Sequence, residues 1–540
     1  MPASSLSYRL TMLALVFICL LGAAAVFYGT AWGPWTDDDS AEYIEAARNL
    51  AAGEGLVLIR ASGRVSPLAS RPPLYAIVLS LAPWLGIDIL AFARWLDIGL
   101  YAGFLFLLGP VLYRMIGRPW PVLLLSLTTL VSPFMLKAFT SGLAEPLHFV
   151  LATASLLLLV AYLRSKRLKE LILSAILAGL STLARLSGLA VMGTGALLVL
   201  TLGGKRFRTR MARGLLYGLI SSIVILPWII DVMARGSTPG VYNFSLEDLW
   251  GHLAGVRVGF AALFWNYLPF SRLLPAPPYR VQLFVSLVVG ATLLVLLGLA
   301  IRERIRRLGQ DWHNSTPWHL VLAFGLYALL YVGVFLFSHL FMTISRALVI
   351  ARHLTALELG IFVSGIMLVY VLLDHYKLTR ASPWIALSLV LGLSLPMARS
   401  GFKLLSDLHA HGRGHTHKSW HQSEVIPYLR SLPQDVPLIS NEIEAIIILT
   451  NRKAYRVPEI WDRTRLPTFE RFGEDPNDPI QRIFRIKGAA LILFDSARWQ
   501  FESIYGDRAD QRLAAFTNGL LAAFVGDDGS VYYYPASRSD

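Results

Sequence analysis

A chain of 540 residues that is 55% hydrophobic and only 16% charged, with a mean hydropathy of +0.55, reads as an integral membrane protein. Its formal charge of +14 does not call for nucleic acid: residues 402–540 hold 17 Lys and Arg against 18 Asp and Glu, so the excess lies in loops between apolar runs, where basic residues orient a membrane protein. A single cysteine, Cys19, excludes an intramolecular disulfide.

Arg9 precedes an apolar run from Leu10 to Tyr28, long enough to cross a bilayer and read as an uncleaved anchor despite its resemblance to a signal peptide. An acidic, aromatic and basic loop follows, with Thr36-Asp37-Asp38-Asp39-Ser40-Ala41-Glu42-Tyr43 at its start and Arg71-Pro72-Pro73-Leu74-Tyr75 at its end. The stretch Leu74–Leu85 is short and holds Pro83, which predicts an interfacial helix rather than a span. Further apolar runs cover about 88–113, 119–137, 143–163, 171–184, 187–202, 213–231, 281–301, 318–338, 354–373 and 382–399.

Charge tests the topology. With the N-terminus cytoplasmic, the inside loops are Arg114/Arg118, Arg164–Lys169, Lys205–Arg210, Arg302–Arg307 and Lys377/Arg380, all short and all basic. The acidic loop, residues 232–280, residues 339–353 and the C-terminal part then share the outer side. Within 232–280, Ser245-Leu246-Glu247-Asp248 resembles a capped helix start, and Leu249, Trp250, Leu253, Val256, Phe260 and Phe264 follow at roughly helical spacing. This predicts an amphipathic helix on the membrane or along a cavity.

From about Phe402 the pattern turns soluble. Pro437–Ser440, Ala489–Phe494 and Val531–Tyr534 read as strands, with helices over Ser423–Leu432 and Gln511–Leu521, which together fit a small α/β domain. Five histidines, His409, His411, His415, His417 and His421, lie between, without the spacing of a zinc site.

Several of these groups carry chemistry. A carboxylate at an outer membrane surface removes a proton from an attacking hydroxyl or binds a divalent metal, and Asp is equally a favoured helix cap. Glu145, in Ser141-Gly142-Leu143-Ala144-Glu145-Pro146, opens a span, where an ionisable group is a functional candidate by default. Arg185 and Arg352-His353 are boundary cations suited to a phosphate, or to lipid head groups as simple anchors. Arg94 and Asp97, three apart on one helix, read as a structural ion pair.

An Asp four residues before a Tyr, an Ala-rich helix, Gly53 and Gly55, then a basic residue before Pro-Pro-Leu resemble the first outer loop of GT-C glycosyltransferases that use polyprenyl-phosphate sugars. The protein O-mannosyltransferases and lipid A aminoarabinose transferases are of this class, and the likeness covers most of 1–400 in layout. It implies a polytopic α-helical membrane protein of about 11–13 spans with a C-terminal extracytoplasmic α/β domain. Residues 1–400 form the membrane catalytic part, with 31–87 as first outer loop, and 401–540 the soluble domain. It also implies a membrane glycosyltransferase that moves a sugar, with inversion, from a polyprenyl-phosphate donor to a glycan, lipid or protein acceptor at the cell surface, from the plasma (inner) membrane. Asp39 is then the catalytic carboxylate, and Asp38, Tyr43, Arg71, Glu145, Arg185, Arg352 and His353 bind substrate. Ser40 stands where the family often has Glu, and Arg71 where the aminoarabinose transferases have Lys. No cofactor is implied beyond room for a divalent ion, Mg or Mn, and nucleic acid is not a partner. The rival reading is a transporter or flippase of lipid-linked glycans, which favours mid-membrane charges and paired broken helices.

Overall fold

The computed structural model describes residues 5–59, 65–236, 315–341, 355–375, 382–389, 395–457 and 471–535 except 476, with isolated positions between 278 and 288 and at 377, 392 and 394. The predicted amphipathic helix within 232–280, the span expected at 281–301 apart from positions 281, 284 and 288, and both Arg352 and His353 lie outside the described residues. The chain divides into two units. One comprises Met1–Ala31, Ser70–Tyr75 and Ala93–Ala410; the other, Trp32–Ala69, Ala76–Phe92 and His411–Asp540.

The first unit is helical. Six described helices are long and apolar enough to cross a membrane: Leu6–Gly29, Ile89–Ile116, Glu145–Ser165, Phe207–Ala234, Thr316–Ser338 and Thr355–Asp374. The run expected as one span at 119–137 is two helices, Pro119–Val131 and Pro133–Phe139, bent by 63°. Proline explains the break. Pro133 pushes Ser132 out of helical geometry to ψ 120°, and the freed Ser132 caps the second helix by accepting a hydrogen bond from Met135 N. Its hydroxyl donates to Glu358 Oε1 at 2.6 Å. Leu168–Ala184 and Leu189–Leu202 are shorter apolar helices, and the run at 382–399 is interrupted, with helices over Ser382–Leu389 and Leu395–His411. Buried aromatics fill the core, among them Tyr101, Phe104, Phe139, Phe149, Tyr217 and Phe324.

The second unit is α/β. Its main sheet has the order β4-β3-β5-β7-β6, with β3 over Leu438–Ser440, β4 over Ala454–Arg456, β5 over Ala490–Phe494, β6 over Leu521–Gly526 and β7 over Gly529–Tyr533. Strands β3, β4 and β5 are parallel, while β5–β7 and β6–β7 are antiparallel. Strand β5 is buried along its whole length, as its unbroken apolar run Ala490–Phe494 requires. Two strands were not legible. Residues 454–456 mix Ala, Tyr and Arg, and Leu521, expected to end a helix, instead opens β6, because the helix stops at Thr517. The signal for the β6–β7 hairpin was Asp528-Gly529.

The loop after the first span belongs to this second unit. A small hairpin, β1 over Val57–Ile59 and β2 over Val65–Pro67, follows the helix Asp38–Ala51. Residues 34–36 run beside 414–416: Thr36 bridges Gly414, and Thr416 Oγ1 donates to Pro34 O at 2.8 Å. Gly414 is obligatory there, since it has φ +64° and a Cβ would lie 1.7 Å from Thr36 O.

Candidate active site

The helix Asp38–Ala51 explains how three adjacent aspartates divide their labour. Asp37 is its N-cap. Its carboxylate accepts from Ser40 N at 3.2 Å, and Ser40 Oγ in turn accepts from Asp37 N at 3.2 Å, a reciprocal capping box. Ser40 is fully buried and holds the cap. Asp38 and Asp39 occupy the first turn, where the positive end of the helix favours carboxylates. The side chain of Asp38 is 73% exposed. Tyr43, one turn beyond Asp39, is buried.

The C-terminal domain grips this helix. Arg48 donates from Nη1 to Ile447 O and from Nη2, at 3.4 Å, to Ile448 O, two carbonyls in the last turn of the helix Ile443–Thr450 that lack partners within it. Burial lowers its guanidinium to about 10. At the other end, His415 Nε2 lies 4.0 Å from Asp38 Oδ1, and burial holds this histidine below its ordinary range against the pull of Asp38. Asp38 also acts electrostatically on Glu442 and Glu444. Glu444 forms an ion pair with Arg456, yet burial outweighs the cation and, with Asp38 and Glu442 nearby, raises its carboxyl to about 7. Burial likewise raises Glu442. Glu444 and Arg456 were absent from the sequence reading, because only the fold brings residues 400 positions apart to one helix end.

The helical unit holds a second cluster. Glu145 begins the helix Glu145–Ser165, is 3% exposed, and forms an ion pair with Arg185, the residue that ends Leu168–Ala184. His148, one turn after Glu145 on the same face, has Nδ1 at 3.2 Å from Ser181 O and 2.9 Å from Ser181 Oγ. A carbonyl only accepts, so Nδ1 carries the proton and Nε2 accepts, with Ser187 Oγ at 3.4 Å and Tyr327 Oη at 3.5 Å. His148 and Tyr327 were not singled out from sequence; the i, i+3 spacing to Glu145 was the available signal for the first. Arg71, in the same unit, is half-buried.

The expected Arg94–Asp97 pair does not form. Arg94 donates to Thr30 Oγ1 at 3.1 Å and Phe27 O at 3.0 Å and stacks over the Phe27 ring, because the C-terminal carbonyls of the first helix need donors. Asp97 is wholly buried and has no hydrogen-bond partner among the described residues. The histidines make separate contacts, although His411 and His417 stack with ring centroids 6.5 Å apart. His409 stacks on Tyr28, His417 caps Lys418–His421, and His421 packs near Trp32. Among the described residues no group of three or more His, Cys, Asp or Glu could hold a metal ion.

The six described helices long and apolar enough to cross a membrane make this an integral membrane protein, and its fold is that of the GT-C glycosyltransferases of solved structure that it resembles. The likeness to solved structures is consistent. ArnT from Cupriavidus metallidurans bound to undecaprenyl phosphate is 14% identical, with 97% of this chain and 98% of that one covered, at a TM-score of 0.55. The oligosaccharyltransferase AglB from Archaeoglobus fulgidus, in complex with an inhibitory peptide and a dolichol-phosphate, is 12% identical over 94% of this chain and 72% of its own, at 0.52. The mycobacterial arabinofuranosyltransferase AftD is 14% identical over 99% of this chain and 42% of its own, at 0.51. By sequence, no protein-family model and no curated protein matches the chain.

Proposed function

We propose that this protein is a glycosyltransferase that moves a sugar from a polyprenyl-phosphate donor to a hydroxyl or amine of a glycan, lipid or protein at the outer face of the plasma membrane. Asp39 takes the proton from the acceptor as its oxygen or nitrogen attacks the anomeric carbon. The bond from that carbon to the phosphate oxygen breaks, polyprenyl phosphate leaves, and the configuration inverts. Arg71, Arg185 and Arg352 offset the charge that develops on the leaving phosphate, and Asp38, Tyr43, Glu145 and His353 shape the remaining contacts. A lipid phosphate is already a good leaving group, so no strong general acid is needed. The basic interspan loops support an N-terminus on the cytoplasmic side.

The observation that carries this reading is the capping box. Asp37 and Ser40 perform the structural task of the acidic run, so Asp39 is not needed as the cap. Two of the structural neighbours hold a polyprenyl phosphate or dolichol-phosphate, which supports the donor class. The transporter reading draws on the 63° break at Ser132, one bent pair among the described residues.

The test compares cells lacking the protein with cells expressing wild type, Asp39→Asn or Asp37→Asn at equal levels, by mass spectrometry of surface glycans, lipids and glycoproteins. A sugar missing in the null and with Asp39→Asn, but retained with Asp37→Asn because Asn caps as well as Asp, is expected. A normal profile with Asp39→Asn rejects the catalytic assignment and favours transport.

A further inference from the structure

The sheet of the C-terminal domain has a topological switch point. From β3 the chain passes through the helix Ile443–Thr450 to β4 on one side, then returns to form β5 on the other side of β3. All three strands are parallel, so the connections leaving the carboxyl ends of β3 and β5 diverge. In open parallel sheets that divergence leaves a crevice where ligands bind.

The residues at this crevice form a built polar network. Asn441, just past β3, accepts from Phe494 N at 2.9 Å and donates to Ser496 Oγ at 2.9 Å and Gln500 Oε1 at 3.1 Å. Ser496 Oγ and Gln500 Nε2 both donate to one oxygen of Glu442, Oε1, at 2.6 and 3.1 Å. The other oxygen, Oε2, receives no hydrogen bond from the described residues. Glu442, Ser496 and Gln500 are each only half-buried. The network therefore holds Glu442 in one orientation and leaves an acceptor unused. Arg456, at the end of β4, is engaged by Glu444 on the flank.

We infer that this switch point is the sugar-binding subsite for the acceptor, taking a neutral saccharide through its hydroxyl groups. The half-used Glu442 carboxylate and the second amide hydrogen of Gln500 complement vicinal hydroxyls, each of which both donates and accepts. The nearby cation Arg456 is already paired with Glu444, and Asp38 adds a further carboxylate, which disfavours a phosphate or other anion. The described residues offer no cluster suited to a metal ion. The helix that carries Asp38 and Asp39 is tied through Arg48 to the helix Ile443–Thr450, which directly follows Glu442, and this links the subsite to the proposed base. The acceptor role rests on the glycosyltransferase reading; the saccharide binding is tested apart from it.

The experiment uses the full chain in lipid nanodiscs and saturation-transfer NMR with the methyl glycosides of mannose, glucose, galactose, rhamnose and arabinose as probes. At least one glycoside should receive saturation from the wild-type chain. Glu442→Gln with Gln500→Ala should weaken that signal about tenfold, the loss of one hydrogen bond to a charged group. Gln500→Arg, which fills the crevice from a half-exposed position, should abolish it even if the double variant folds poorly. Excess inorganic phosphate should not compete. A signal unchanged in both variants, displaced by phosphate, or absent for every glycoside overturns the subsite. A normal surface profile in Asp39→Asn cells would instead overturn the transferase reading and leave the binding result standing.

Discussion

The Arg185–Glu145 pair provides the sharpest test of how the helical unit is held. Arg185→Met takes from Glu145, only 3% exposed at the first turn of its helix, the cation it pairs with. Removing one partner of a buried ion pair costs about 3–5 kcal/mol, whereas exposed pairs contribute below about 1 kcal/mol. Glu145→Gln is milder, because Arg185 keeps a 23% exposed side chain that water can reach. Replacing both together, Glu145→Gln with Arg185→Met, removes both charges and should recover about 1–3 kcal/mol of the loss. The assay is the thermal midpoint of purified protein in one detergent, with Arg185→Met expected to melt lowest and the double variant above it. If the double variant melts no higher than Arg185→Met, or if Arg185→Met behaves like a change at the exposed Arg498–Asp510 pair, the account of a buried, charge-compensated pair is wrong. Surface glycan profiles of the same variants separate stability from function: recovery of stability without recovery of the sugar places the pair at the donor.

Arg48→Met removes two charge-assisted hydrogen bonds to the last turn of Ile443–Thr450, at about 1.5–3 kcal/mol each. Hydrogen exchange should speed up in both 38–51 and 443–450, and equal protection in wild type and variant would refute the grip. Glu444, raised from 4.5 to about 7, binds its proton more tightly folded than unfolded. Its contribution is therefore full below about pH 4.5 and is lost as pH rises through about 7, on the order of 3 kcal/mol. Glu444→Gln should flatten the pH dependence of the thermal midpoint over that interval, and an unchanged slope would count against the assignment.

The apolar runs were legible because each helix that crosses a bilayer must satisfy its backbone internally and show lipid a hydrophobic surface, so composition alone marks it. The capped acidic helix was legible in part: Asp37-Asp38-Asp39 announced a helix start, although which aspartate caps depends on a single backbone geometry. The break at 132 could be read from Ser132-Pro133, a local steric rule. Strands β3 and β5 were visible as short apolar runs, but β4 and the exposed edge strand β6 were not, since an edge residue needs no hydrophobic pattern.

What the sequence by itself determined is the local content: where spans form, which loops are basic, and that an aspartate lies one turn before a tyrosine. What only the tertiary structure decided is which charges meet. Arg94 and Asp97, neighbours along one helix, part company because the carbonyls closing the first helix take the arginine. Arg48 and Ile447, about 400 residues apart, come together, as do Asn441 with Ser496 and Gln500 and Glu442 with the same two. The physical reason is that a hydrogen bond or ion pair acts over a few ångströms, while the chain separation that such contacts bridge leaves no periodicity in the sequence to betray it.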